Sequence, residues 1–203
     1  MIGIIDYGMG NLRSVEKAFK YVGYEAKIIK DVASVKEAHA LVLPGVGAFP
    51  DAMDTLIKTG MFEEIKRQID KGKLFLGICL GMQLLFEKGF EVEETEGFKI
   101  FKGQVIELPK HNKIPHMGWN SLEIKKETPL LKGVENGDYA YFVHSYYVAN
   151  NEEKYVYAVT DYGVQIPAVI IKDNVFSCQF HPEKSGKVGL KILKNFGEMA
   201  KWF

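Results

Sequence analysis

Four short apolar runs, residues 2–5, 26–29, 40–43 and 74–78, are separated by segments whose apolar residues recur at helical spacing. Strands that alternate with helices in this way predict a parallel sheet with right-handed crossovers, and in such sheets ligands collect at the carboxyl ends of the strands. Asn11 is expected to N-cap the first helix, which carries Leu12, Val15, Phe19 and Val22. Further helices are expected over 51–58, continuing into 61–71, and over 186–200. The second half reads differently. Strands at 104–108, 120–124, 139–143, 155–160, 168–171 and 175–180, joined by short turns such as Glu135-Asn-Gly-Asp138, predict antiparallel strands added to the sheet or forming a small flanking one.

The fourth apolar run leads into Gly77-Ile-Cys-Leu-Gly-Met-Gln83. A strand running into a cysteine between two glycines, and then into a helix former, is the layout of a nucleophile elbow. The sharp turn lifts the central side chain, and the amides that follow point at whatever it attacks. Far downstream, Phe180-His181-Pro-Glu183 offers a base, with a carboxylate two residues along an extended segment to orient it. Alone, Cys79 would read as a small packed hydrophobe. Together with His181 and Glu183 it reads as a nucleophile. Cys178, between Phe176 and Phe180, reads as a packed thiol, His39 and His111 as surface residues, and His116 and His144 as hydrogen-bonded structural histidines.

Equal numbers of acidic and basic side chains, 26 each, give no reason to expect a nucleic-acid partner. The only two cysteines lie far apart without metal-ligand spacing, so neither a disulfide framework nor a metal is expected, and no cofactor is implied. A reducing cytoplasm fits. No apolar stretch reaches the roughly 18 residues of a membrane span, and the start of the chain meets an acid before any signal-like run, so a soluble, cytoplasmic protein is expected. At 203 residues, one domain over 1–203 is the expectation and two very small ones the fallback. Two strand ends carry glycine-punctuated loops. Pro44-Gly-Val-Gly47 can present backbone N–H groups to an anion. Asp6-Tyr-Gly-Met-Gly-Asn11 reads as a tight turn, since it lacks the third glycine of a dinucleotide fingerprint.

Taken together, Gly77-Ile-Cys-Leu-Gly-Met-Gln83, Pro44-Gly-Val-Gly47 and His181-Pro-Glu183 resemble the class I glutamine amidotransferases. Asp6-Tyr-Gly-Met-Gly-Asn-Leu12, Pro115-His-Met-Gly-Trp-Asn120, Phe142-Val-His-Ser-Tyr146 and His181-Pro-Glu-Lys-Ser185 narrow the resemblance to the glutaminase subunits of imidazole glycerol phosphate synthases. The resemblance implies a flavodoxin-like, mostly parallel α/β sheet flanked by helices. It also implies a partner, a (β/α)₈-barrel cyclase subunit that receives ammonia in histidine biosynthesis. Cys79 is then expected to attack the carboxamide of L-glutamine, with His181 as base and acid and Glu183 holding its tautomer. The amides of Leu80 and of the Val46–Gly47 turn are the candidate oxyanion donors.

By resemblance, Gly45, Gln83, Ser145 and Tyr146 contact glutamine, as does an acid among Glu91, Glu93, Glu94 and Glu96, with Glu91 preferred. Asn11, Met117, Trp119 and Lys184 match positions facing the partner, although Trp119 fits the protein's own core equally well. Glycines on both sides of Val46 suggest a turn that rotates on docking. Three other readings stand beside this one: the same glutaminase serving a paralogous synthase that amidates a surface sugar, favoured by the departure at Thr95-Glu-Gly-Phe-Lys-Ile-Phe101; a cysteine peptidase or deglycase on a related sheet; and a non-catalytic regulatory subunit.

Overall fold

A computed structural model describes residues 1–201. Its frame is the predicted alternation: β1 (Ile2–Ile5), α1 (Leu12–Tyr21), β2 (Ala26–Ile29), α2 (Val32–Glu37), β3 (Ala40–Gly45), α3 (Phe49–Lys58), α4 (Met61–Asp70) and β4 (Leu74–Cys79). Within β3, Ala40 and Val42 point to one face and Leu41 and Leu43 to the other, and β4 divides Leu74, Leu76 and Ile78 from Phe75 in the same way. A sheet buried on both faces needs a helical layer on each. Val15 and Phe19 of α1 cover one face, and α2, α3 and α4 cover the other through Val35, Leu56 and Ile65.

Beyond the one-turn α5 (Leu80–Gln83) come the short β5 (Lys88–Gly89) and β6 (Thr95–Glu96), then β7 (Gln104–Glu107), β8 (His116–Ser121), β9 (Glu123–Ile124), β10 (Tyr139–His144) and β11 (Tyr146–Ala149). β12 (Val156–Asp161), β13 (Gln165–Lys172), β14 (Val175–Cys178) and α6 (Gly186–Met199) complete the order. The main sheet runs β2-β1-β3-β4-β14-β13-β12-β9, parallel as far as β14 and antiparallel beyond it. The other antiparallel strands form two small flanking sheets, β10-β8 and β11-β7-β5-β6. β4 and β14 are parallel neighbours with Ile78 opposite Cys178, so the chain leaves both strands at the same sheet edge.

Several expectations are corrected. Asn11 occupies the N-cap position of α1, but its side chain makes no capping bond; its carbonyl accepts from Ser14 and Val15 instead. The helix expected over 51–71 is two helices, parted at Gly60, whose φ of 71° no continuous helix contains. α2 was not foreseen, although Asp31 caps it by accepting from the Ser34 amide at 2.8 Å. β11 was also not foreseen, and the strand expected at 120–124 is divided between β8 and β9. β13 begins before Pro167, opposite an irregularity in β12 between Ala158 and Val159 that accommodates a residue with no N–H to give.

Candidate active site

Cys79 ends β4 with φ 55° and ψ −112°, a conformation a non-glycine residue holds only when its surroundings fix it. Those surroundings are tight: a Cβ on Gly81 would lie 1.8 Å from the Leu43 carbonyl oxygen, so only glycine lets α5 lie this close to β3. The helix after Cys79 is a single turn. What Cys79 meets is therefore the first-turn amides of a short helix, not the dipole of a long one.

Because β14 stops at Cys178, the chain turns at Gln179 and brings His181 to the rim beside Cys79. The His181 amide donates to the Tyr141 carbonyl at 2.9 Å, and the Ser185 hydroxyl donates to the His181 carbonyl at 2.7 Å. His181 and Glu183 are not on an extended segment as expected. Pro182 starts a 3₁₀ turn over Pro182–Lys184, and the turn itself closes the 2.9 Å contact between His181 Nδ1 and Glu183 Oε1. Both side chains are almost fully buried, at 3% and 1% exposure.

Nε2 of His181, beside Cys79, has no hydrogen-bond partner. Burial works against charge on His181, but the neighbouring Cys79 and Glu183 together outweigh it and push its pKa up to about 10. At neutral pH the imidazole therefore holds a proton on the side facing the sulfur. That is the arrangement of an acid poised to donate to a leaving group.

Cys79 opens into a cleft of about 320 Å³, which Val46, Gly47, Leu80, Gln83, Glu91, Ser145 and Tyr146 also line. Gly45 does not line it; it is buried behind the wall, where a Cβ would lie 2.4 Å from the Tyr7 hydroxyl oxygen. Among the four acids, only Glu91 reaches the cleft. It accepts from the Phe49 amide at 2.8 Å, and burial lifts its carboxyl above the usual carboxylate range, while Glu93, Glu94 and Glu96 are exposed. A wider groove of about 580 Å³ beside α1 holds no such convergence, and its charges pair among themselves, as in Lys30–Asp6 at 3.3 Å and Arg13–Glu16 at 3.0 Å.

Met117 and Trp119, 61% and 55% exposed, share the outward face of the β8–β10 ribbon with Tyr141, so Trp119 is not core. Lys184 is exposed with its ammonium over the Tyr141 ring, and Asn11 is half-buried at the start of α1. Sequence reasoning missed Pro115, Val143 and His144 in the cleft wall, and Gln179, fully buried with Nε2 3.8 Å from Cys79 Sγ. The proximity of Gln179 to His181 in the chain was the one available signal. His116 and His144 are buried and bonded to each other at 3.0 Å, and Cys178 is fully buried, as expected. Among the described residues no cluster of potential ligands could hold a metal ion, and no helix is long and apolar enough to cross a membrane.

Residues 3–199 match the family described as Glutamine amidotransferase class-I. The chain is 76% identical over 201 residues to the imidazole glycerol phosphate synthase subunit HisH of Caldanaerobacter subterraneus subsp. tengcongensis, covering 99% of each. It is 54% identical over 198 residues to the subunit of the same name from Aquifex aeolicus, covering 97% of this chain and 96% of that one. Among solved structures, one described as a glutamine amidotransferase superposes with a TM-score of 0.78 at 20% identity, covering 98% of both chains. PurLQS from Thermotoga maritima gives 0.78 at 19% identity, covering 98% of this chain and 97% of that one. Likeness at that identity shows a shared flavodoxin-like fold.

Proposed function

Since this chain belongs to the class I glutamine amidotransferase family, we propose that it is the glutaminase subunit of an imidazole glycerol phosphate synthase, hydrolysing L-glutamine and delivering ammonia to a (β/α)₈-barrel cyclase subunit in histidine biosynthesis. The reading is supported above all by the match to a synthase subunit at 76% identity over nearly the full length of both chains. The sugar-amidating alternative rests only on the segment 95–101, which lies away from the cleft lining. The peptidase and regulatory readings have no support from the family, and Cys79, His181 and Glu183 are all present.

In this reading Cys79 Sγ attacks the carboxamide carbon, and the developing oxyanion is met by the amides of Leu80 and the Val46–Gly47 turn, the loss of one such donor typically raising the barrier by about 2.7–4 kcal/mol. His181 gives its proton to the departing ammonia, leaving a glutamyl thioester, and then activates the water that releases glutamate. Glu183 stabilises the imidazolium throughout. Gln83, Glu91, Ser145 and Tyr146 hold the glutamine, with the Glu91 carboxylate on the α-ammonium. Asn11, Met117, Trp119 and Lys184 face the barrel. The protein works as a single domain in the cytoplasm. Mixing it with its cognate barrel subunit and assaying glutamate against imidazole glycerol phosphate tests this: coupled formation of both is expected, and glutamate release without the imidazole product assigns the chain to another synthase.

A further inference from the structure

The largest unexplained feature of the site is a chain of buried polar groups behind the nucleophile. The acceptor-only Tyr146 carbonyl at its centre fixes the direction of the links on both sides. A carbonyl oxygen can only accept, so His144 Nδ1–H donates to the Tyr146 carbonyl at 2.9 Å, and the other nitrogen of a neutral His144 is bare. That nitrogen accepts from His116 Nδ1–H at 3.0 Å, and the bare Nε2 of His116 accepts from Asn120 Nδ2 at 3.3 Å. Asn120 is oriented in turn by donating to the Asp161 carbonyl at 2.8 Å. Burial holds both histidines neutral, with pKa values of about 4 for His116 and about 3 for His144.

On the other side, the Tyr146 carbonyl accepts a second N–H, from Gln83 Nε2 at 2.8 Å. The remaining N–H of Gln83 goes to Gln179 Oε1 at 3.1 Å, so the amide of Gln179 cannot be turned about. Its Nε2 is left facing Cys79 Sγ at 3.8 Å. Gln179 is fully buried, and Gln83 and Cys79 are only 4% and 6% exposed, so no bulk water competes for these bonds.

We propose that Gln179 is a positioning residue for the nucleophile: the hydrogen-bond chain running through Gln83 locks its N–H against Cys79 Sγ, where it holds the sulfur at the mouth of the cleft and favours its charged form. This rests on the glutaminase reading of the same site and adds to it a role for a residue outside the triad. Gln179, just beyond β14, approaches the sulfur at 3.8 Å and the Val143 carbonyl lies 3.9 Å from it, so the sulfur is restrained from two sides at the start of α5.

Two near-isosteric variants test the proposal. Gln179→Met removes the N–H, and Gln179→Glu replaces it with an acceptor. In a protein whose thermal melt shows it folded, Gln179→Met should slow alkylation of Cys79 by iodoacetamide at pH 7, read by mass spectrometry on the Cys79 peptide, by roughly 10–100-fold, the worth of a hydrogen bond to a charged group. Gln179→Glu should be slower still. With the barrel subunit present, kcat should fall in parallel while KM for glutamine stays put. Alkylation at the parental rate in both folded variants, or a raised KM with kcat and alkylation unchanged, overturns the proposal. Should neither variant fold, the side-chain amide protons of Gln179 in the parent protein, followed by ¹⁵N NMR, must move on Cys79→Ala substitution, and fixed signals overturn it. Alkylation and NMR require no glutamine turnover, so their outcome is separate from that of the glutaminase assay.

Discussion

At residue 181 burial is the largest single influence on charge, and two neighbours acting together overcome it. The His181 pKa of about 10 stands well above the 6.5 of an exposed histidine, because Cys79 and Glu183 together favour the imidazolium more than desolvation opposes it. For a histidine with a raised folded pKa, the stabilisation is fully present below about pH 6.5 and is lost as pH rises through about 10. If Cys79 is the main support, Cys79→Ala should lower the His181 titration midpoint well below 10, and NMR of the imidazole carbons checks this. A midpoint unmoved by the substitution would assign the shift to Glu183 alone. This part of the site was legible in the sequence because it is local: Gly77-Ile-Cys-Leu-Gly81 and His181-Pro-Glu183 each state their geometry within a few residues. The 3₁₀ turn at Pro182 was misread as extended because a two-residue offset brings side chains together in either form.

At the scale of the element, the β8–β10 ribbon has two unlike faces. Inward it carries His116 paired with His144; outward it pairs Trp119 with Tyr141 and places Met117 and Tyr139 in solvent. An aromatic face exposed beside the rim suits a docking partner, and Trp119→Ala should leave the melting temperature unchanged while weakening binding of the barrel subunit by about 2 kcal/mol or more, as measured by calorimetry. A lowered melting temperature with unchanged affinity would place Trp119 in the stabilising core instead. The inward face predicts acid sensitivity. His116 and His144 have depressed folded pKa values, so between pH 6.5 and about 4 the unfolded chain takes up protons that the folded one refuses, and stability falls as pH falls. Replacing His116 with Gln should flatten the acid limb of denaturant-derived stability; an unaltered limb would contradict this. None of this pairing was legible from sequence, because His116 and His144 lie 28 positions apart and each alone reads as an ordinary structural histidine.

Over the whole molecule, topology does the assembling. The parallel pairing of β4 with β14 delivers a cysteine and a histidine about a hundred residues apart to the same sheet edge, and the glycine at 81 lets α5 settle against β3 beneath them. The first half was readable in outline, apart from the six-residue α2 and the break at Gly60, because periodic helices alternate with buried strands. The small sheets were readable only in part: strands were expected at 104–108 and 139–143, but strands of two to four residues, such as β5, β6 and β11, are defined by their partners more than by their composition. Gln83 and Gln179 escaped connection for the same reason: the hydrogen bond that joins them spans 96 positions. Glutamate release in the presence of the barrel subunit, measured for the parent and for Cys79→Ala, bears on the thioester chemistry from which the rest follows. The parent should turn over, and the variant should lose at least about 10⁴-fold in kcat with its fold intact. A Cys79→Ala protein that still releases glutamate at a rate near the parent's would remove the sulfur from the reaction.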